Sequence, residues 1–385
     1  MKTSDWRCVE AAQAAARVVL RHNLKGPCQG LPRTAGWGYP EPYTRDLLLA
    51  ALGTLVSGDE QLLAGLRRVL VALAQNQSRR GHISSLAHDP QSRGASDTTP
   101  LFLWVLGLYR RFVGEPGFLE EAAQKALVWM AYQSPDDRGL VGQLPTSDWR
   151  DEQWVLGYGL YVNVIYYAAL KTLGLNERAA SIRDLMNRFI VRNEAQPRNV
   201  HEGLAVPHSA YYALWAYKVH KSIHFDLLGN SLAILTGIAS PSRSKRMVRW
   251  IETLCRDLRA SGDLAGDLPP CLIPFIRPED EEWRTRYEIF NQPGEYHNGG
   301  IWPFIVGFYV AALVKTGAIP LAEEKLLSLT QMTKLAADST LDCGFNEWHR
   351  AQDGLPRGQD WQSWSAALFL YASHCVQMRQ ALFFE

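Results

Sequence analysis

A chain of 385 residues, 47% hydrophobic and 21% charged, has the balance of a folded protein with a large core and not of extended disorder. Its formal net charge of +1 supplies no general field for nucleic acid or an anionic membrane. Six cysteines, at 8, 28, 255, 271, 343 and 375, form no CxxC pair or Cys/His cluster, which favours reduced thiols over a disulfide frame or a zinc site.

In chain order, helical periodicity dominates. Asp5, Arg7 and Glu10 interrupt any apolar signal core, and an amphipathic helix is predicted over 9–22. Residues 44–56 are apolar on nearly all sides. In 57–76, Ser57 and Glu60 have capping-box spacing, and Leu62, Leu63, Leu66, Val69, Leu70 and Leu73 form one stripe. The all-round apolar segments continue at 98–113, 154–171, 226–238, 301–315 and 361–376. Striped segments lie between them at 116–132, 178–192, 241–258 and 320–336. Only 139–144 and 215–220 read as short hairpin pieces. The longest apolar run, Ile301 to Val314, is too short to span a bilayer, so a soluble, cytoplasmic protein is expected.

A helix apolar all round belongs inside, and a striped one belongs between core and water. Six of each, roughly alternating, predict an all-α, (α/α)6 barrel with minor β-hairpins in its loops, built as a single domain over 1–385. An open superhelix is the rival, but no repeat of fixed length supports it. The basic run Arg243–Arg249 reads as the solvated face of an outer helix. GxGxxG, P-loop and GxSxG patterns are all absent from the sequence. No cofactor or metal is expected, and neither a nucleic-acid nor a membrane partner.

Polar motifs recur where the chain enters the apolar segments: Glu41 to Asp46, Gly94 to Pro100, Thr146 to Glu152, Tyr296 to Gly300 and Gly358 to Trp364. If the inner helices run parallel, these loops meet on one face and form one pocket. Gly294 to Pro303 is the densest, with His297, Asn298 and Trp302 at the mouth of a helix whose first turn accommodates Pro303. Hydroxyl-rich, C–H-faced ligands such as sugars suit that mixture. Residues 262–297 read as a long loop over the same face. Trp361 and Trp364 lie three apart, so packing alone could explain that pair.

Glycoside hydrolysis requires two carboxyl groups flanking the anomeric carbon. Asp151, beside Arg150, Trp149 and Trp154, is the first candidate, with Asp148 and Glu152 as near rivals. Glu347, between Asn346 and Trp348, is the second. Sequence proximity alone does not separate these acids from N-caps or solvated carboxylates.

The run Phe225 to Ile234, Pro269 to Ile273, Tyr296 to Gly300 followed by Trp302-Pro303, and Gln362-Ser363-Trp364-Ser365 resemble the neutral/alkaline invertases, glycoside hydrolase family 100. The order agrees over about residues 40–375 and is tightest from 224 to 305. A weaker similarity extends to trehalases, processing α-glucosidases and debranching-enzyme glucosidases. The resemblance implies an (α/α)6 barrel that cleaves sucrose, mostly with inversion in the wider group. It implies Asp151 as general acid and Glu347 as general base. Arg45 with Asp46, and Asp97 at the next inner helix, would hold sugar hydroxyls. Tyr43, Trp149, His297, Asn298, Trp302, Gln362 and Trp364 would complete the wall.

Two departures bear on the leaving group. Asp151-Glu152 stands where the family has Asp-Gly, and Glu347-Trp-His-Arg350 where it has Glu-Tyr-Tyr-Asp. The rival functions are an α-1,6-glucosidase or another oligosaccharide or glucosylglycerate hydrolase, and a non-catalytic carbohydrate-binding barrel. A sugar epimerase ranks lower, because only His297 and His349 fall at mouth positions. A small saccharide is the expected partner. Oligomeric state stays open, a homo-oligomer included.

Overall fold

The computed structural model describes residues 1–188, 203–218 and 220–384. In chain order the helices are α1 (Thr3–Asn23), α2 (Thr44–Val56), α3 (Glu60–Gln75), α4 (Thr98–Val113), α5 (Glu120–Ala131), α6 (Leu160–Thr172) and α7 (Asn176–Arg188). They continue with α8 (Leu227–Leu235), α9 (Pro241–Ser261), the one-turn α10 (Tyr287–Phe290), α11 (Pro303–Lys315), α12 (Ile319–Met332) and α13 (Ser363–Met378). Residues 189–192, the end of the expected 178–192 helix, lie outside the described residues.

The inner helices close a ring: α2 packs on α4, α4 on α6, α6 on α8, α8 on α11, α11 on α13, and α13 back on α2. Outside it, α3 covers α2, α5 covers α4, α7 covers α6, α12 covers α11, and α1 covers α13. The sixth outer helix, α9, is tied in by Glu252, which accepts from Tyr309 of α11 and pairs with Lys325 of α12. This is an (α/α)6 barrel.

Burial follows the sequence pattern. Every residue from Pro303 to Val314 of α11 is buried, whereas α3 buries only Leu62, Gly65, Leu66, Val69, Leu70 and Leu73. The solid inner faces make one continuous core that a striped helix could not supply from its single apolar side.

Three local expectations are corrected. The cap of α3 is Asp59, whose carboxylate accepts from Gln61 N and Leu62 N; Ser57 instead closes α2, its hydroxyl donating to Thr54 O. An Asp one residue before the helix competes better for those amides than a hydroxyl two residues earlier. Residues 139–144 form no hairpin strand, only a single bridge between Gln143 and Gly157. In contrast, β1 (Tyr158–Gly159), β2 (Ala213–Tyr217), β3 (His220–Asp226) and β4 (Leu272–Ile273) form an antiparallel sheet in that order. Strand β3 turns the polar Ser222 and His224 inward and Ile223 outward, which hides its alternation from a hydrophobicity reading. The first six residues of the expected 154–171 helix are not helical: 154–157 are irregular apart from the Gly157 bridge and Tyr158–Gly159 form β1, so α6 begins at Leu160. A second ladder pairs β5 (Trp348–His349) with β6 (Pro356–Arg357).

Among the described residues no helix is long and apolar enough to cross a membrane, and no group of three His, Cys, Asp or Glu side chains could hold a metal ion.

Candidate active site

The inner helices all start at one end of the barrel. Tyr43 caps α2, Asp97 α4, Gly159 α6, Asp226 α8, Trp302 α11 and Gln362 α13. A cavity of about 120 Å³ opens there, lined by Thr34, Tyr39, Tyr43, Arg45, Asp46, Trp149, Asp151, Tyr296, His297, Trp302, Glu347, Gln362 and Trp364. Asp151 and Glu347, 196 positions apart in the chain, therefore face one space. Strained backbone collects around it: Tyr296, Phe345 and Trp361 adopt left-handed φ values of 43°, 40° and 57°, each costing roughly 1 kcal/mol for a non-glycine residue.

The loop that carries Asp148, Asp151 and Glu152 is tied down by its charges. Asp148 accepts from its own loop, at 2.8 Å from Arg150 N and 3.0 Å from Gln143 Nε2. The Arg150 guanidinium is fully buried, donates to Asp226 Oδ1 at 2.5 Å, and lies 4.3 Å over the Trp149 ring. Glu152 turns outward to an ion pair with Arg286, and Asn291 donates to its carbonyl at 2.7 Å. Of the three neighbouring carboxylates, only Asp151 lines the cavity.

Asp151 keeps 57% of its side chain open at the mouth. Desolvation by the surrounding walls raises its pKa, the Arg45 charge opposes this, and Glu152, Asp148 and Asp97 add to the rise. Glu347 lies deeper, 6% exposed. Burial pushes its carboxyl up to about 7, against the Gln359 amide that donates to Oε2 at 3.1 Å; Asp151 adds to the rise. Asp46 is pushed up to about 8, chiefly by burial, with Arg45 opposing and Glu347 and Asp151 contributing. Around this one small space all three carboxyls are shifted in the same direction, upward, with burial the largest cause for each.

The walls are aromatic. His297 stacks on Tyr296 with centroids 3.9 Å apart and on Trp302 at 5.5 Å, with Trp149 edge-on at 5.1 Å. Phe304 stacks on Trp364 at 4.2 Å. His297 Nε2 lies 3.9 Å from Asp151 Oδ1. Burial, then Arg150 and Arg45, depress the imidazole pKa far below its ordinary value, so the ring is neutral. Both His297 nitrogens, Trp149 Nε1, Trp364 Nε1 and Gln362 Oε1 are buried without a protein partner. Buried polar groups are nearly always paired, so these groups around one cavity are open to ordered water or a polar ligand.

Of the sequence candidates, Tyr43, Arg45, Asp46, Trp149, His297, Trp302, Gln362 and Trp364 line the cavity with Asp151 and Glu347. Two do not. Asp97 is fully buried behind Arg45, which it grips with Oδ2 at 2.5 Å and Oδ1 at 3.2 Å; its carboxylate aims the guanidinium and does not reach the cavity. Asn298 is also fully buried: its Oδ1 accepts from Ile276 N at 2.7 Å, and its Nδ2 donates to Ile276 O and Asn291 O. It staples the 262–297 loop to the mouth and is saturated by backbone. Thr34, Tyr39 and Tyr296 line the cavity without having been singled out. Tyr296 stood inside a recognised motif; Thr34 and Tyr39 lie in the loop between α1 and α2, where Trp37, Tyr39 and Tyr43 among Gly and Pro were the available signal.

Comparison with known proteins was made over both sequence and fold. The model of the family described as alkaline and neutral invertase matches residues 153–378, more than half of the chain. A probable chloroplastic alkaline/neutral invertase A of Arabidopsis thaliana is 29% identical over 174 residues, which cover 43% of this chain and 25% of that protein. Cytosolic invertase 1 of Oryza sativa subsp. japonica is 31% identical over 155 residues, covering 39% and 25% respectively. The matches thus span about a quarter of the length of these curated relatives. In fold, a mannosylglycerate hydrolase from Thermus thermophilus, solved with Tris and D-glycerate, superposes with a TM-score of 0.67 at 15% identity, covering 93% of this chain and 99% of that one. A bacterial glucoamylase complexed with acarbose gives 0.62 at 13% identity, covering 97% and 56%. The chain belongs to the alkaline and neutral invertase family.

Proposed function

We propose that the protein is an inverting glycoside hydrolase acting on a small α-glucoside, with sucrose the leading candidate. The observation that carries this reading is the placement of Asp151 and Glu347 on one cavity whose remaining wall offers unpaired donors and acceptors beside aromatic faces.

Asp151 donates its proton to the bridging oxygen, and Glu347 takes a proton from a water that attacks the opposite face. The Asp151 charge adds to the rise of the Glu347 pKa, so two carboxyls facing one cavity lose their protons in separate steps. The singly protonated pair is the working state. A base with a pKa of about 7 is matched to neutral and mildly alkaline conditions. Trp149, Trp302 and Trp364 offer the C–H face of the sugar a stacking surface, and Asp46, His297 and Gln362 take its hydroxyls. Sugar hydroxyls satisfy the unpaired groups that water would otherwise fill, which favours tight enclosure of one ring. All six cysteines are free, in keeping with action in a reducing compartment such as the cytosol.

Reducing-sugar release from sucrose, trehalose, isomaltose and glucosylglycerate tests the reading. Turnover of one of them, lost in both Asp151→Asn and Glu347→Gln while glucose affinity persists, is the expected result. No turnover by intact protein contradicts it and leaves the carbohydrate-binding barrel. Preference for isomaltose over sucrose would move the assignment to an α-1,6-glucosidase.

A further inference from the structure

The loop between α1 and α2 forms one wall of the cavity, contributing Thr34, Tyr39 and Tyr43. It is a held strap. Ala35 N donates to Tyr39 O at 3.0 Å, Tyr43 N to Thr34 Oγ1 at 3.0 Å, and Ser363 N of α13 to Thr34 O at 2.9 Å. Its docking partner is the segment that holds Glu347. The Gly38 backbone approaches the Gln359 side chain so closely that a Cβ there would lie 1.7 Å from Gln359 Oε1. Gln359 in turn donates its backbone N–H to Glu347 Oε2 and accepts from Glu347 N at 2.9 Å. The residue next to Tyr39 thus touches the residue that fixes the base.

An inverting reaction needs its water held at two points, because one hydrogen bond to the base leaves the oxygen lone pair free to swing. The second group must reach the base side of the sugar and must not be a competing base. Tyr39 meets both conditions. Its ring lines the same cavity as Glu347, and among the described residues its hydroxyl has no protein hydrogen-bond partner. The nearby Glu347 charge, then burial, hold its phenol far above the ordinary range, so it stays protonated at any working pH.

We propose that Tyr39 is the positioning residue for the attacking water, its phenol oxygen accepting the water O–H that does not point at Glu347. In the step itself, one water O–H bond breaks and its proton passes to the Glu347 carboxylate. The water oxygen bonds the anomeric carbon as the glycosidic C–O bond breaks, and the leaving oxygen takes the Asp151 proton. Tyr39 gives up nothing; it fixes the direction of the lone pair. This assignment rests on the hydrolase reading above.

Tyr39→Phe removes one oxygen and keeps the ring against Tyr43, whose ring is edge-on at 6.1 Å. The expected result is a fall in kcat of about 30- to 100-fold, with KM and glucose affinity within about two-fold. In a double-mutant cycle read on the residual turnover of Glu347→Asp, whose shorter carboxylate already misplaces the water, Tyr39→Phe should have much less further effect than in the wild type. A merely structural residue would lower both backgrounds equally. Wild-type turnover that Tyr39→Phe leaves unchanged, or lowers equally in both backgrounds, overturns this assignment and leaves the hydrolase reading standing. A wild type without turnover overturns both.

Discussion

A methyl group on Gly358 would lie 2.1 Å from Glu347 Oε2, and Gly358 itself adopts φ +71°. The Glu347 carboxylate is therefore seated against bare backbone, with the next amide, Gln359 N, bonded to the same oxygen. Closeness of that kind fixes the carboxylate to within a fraction of an ångström without a side-chain partner that would lower its basicity.

Gly358→Ala tests that seat. The left-handed φ costs about 1 kcal/mol for alanine, and the clash must push the Glu347 carboxylate toward the cavity. A modest fall in melting temperature should accompany a loss in kcat of about 100-fold, the usual scale for a misplacement near 1 Å. Thermal unfolding and steady-state kinetics on the same preparation check it.

Glu347 should shape both activity and stability against pH. With a folded value of about 7, its ionised, base-competent form is lost as pH falls, so kcat/KM should drop on the acid side with an apparent pKa near 7. For stability the sign is opposite to that of a salt-bridged carboxylate. Between its ordinary 4.5 and about 7 the folded state holds a proton that the unfolded state has released. Stability of the free enzyme therefore declines as pH rises through that window. The shift of 7 − 4.5 corresponds to roughly 3 kcal/mol as an order of magnitude. Glu347→Gln should remove the Glu347 share of the slope and leave the share of Asp46, itself pushed up to about 8, and melting temperatures at pH 5 and pH 8 for both proteins check it.

Arg150 should matter for folding before it matters for turnover. Its partner Asp226 is fully buried and also caps α8, accepting from Leu228 N at 3.0 Å. Arg150→Met strands that carboxylate, an outcome worth about 3–5 kcal/mol. Urea unfolding should show the loss, and Arg150→Met/Asp226→Asn should recover most of it.

Asn298→Ala separates a staple from a sugar ligand. Removing the side chain leaves buried Ile276 and Asn291 backbone groups unpaired, at about 1–3 kcal/mol each. Stability should fall while KM of the folded fraction stays within about three-fold. A large rise in KM with unchanged stability would restore Asn298 to the sugar wall.

The barrel was legible because its signal is redundant. All-round apolarity in α11 and the stripe of α3 repeat the same inside-outside message six times along the chain. Periodicity also located the mouth, since a polar loop before an apolar helix marks the same end each time. What it could not show was direction within the mouth. Asp148, Asp151 and Glu152 are chemically alike in sequence, and they are separated only by what Arg150, Gln143 and Arg286 claim from them. Asp97 and Asn298 were read as ligands for the same reason: a polar residue at a helix opening serves a sugar or the scaffold depending on a partner tens of residues away. The β3 strand and the Tyr39 strap were hidden by inward polar residues and by the absence of any helical period, respectively.

The most direct test is a crystal structure of Asp151→Asn soaked with glucose. The account predicts the anomeric carbon between residues 151 and 347, Glu347 and the Tyr39 hydroxyl on the side where water attacks, and a separation of about 6.5–9.5 Å between the two side-chain end groups. Glucose seated away from either residue, or end groups only about 5–5.5 Å apart as in a retaining enzyme, would contradict it.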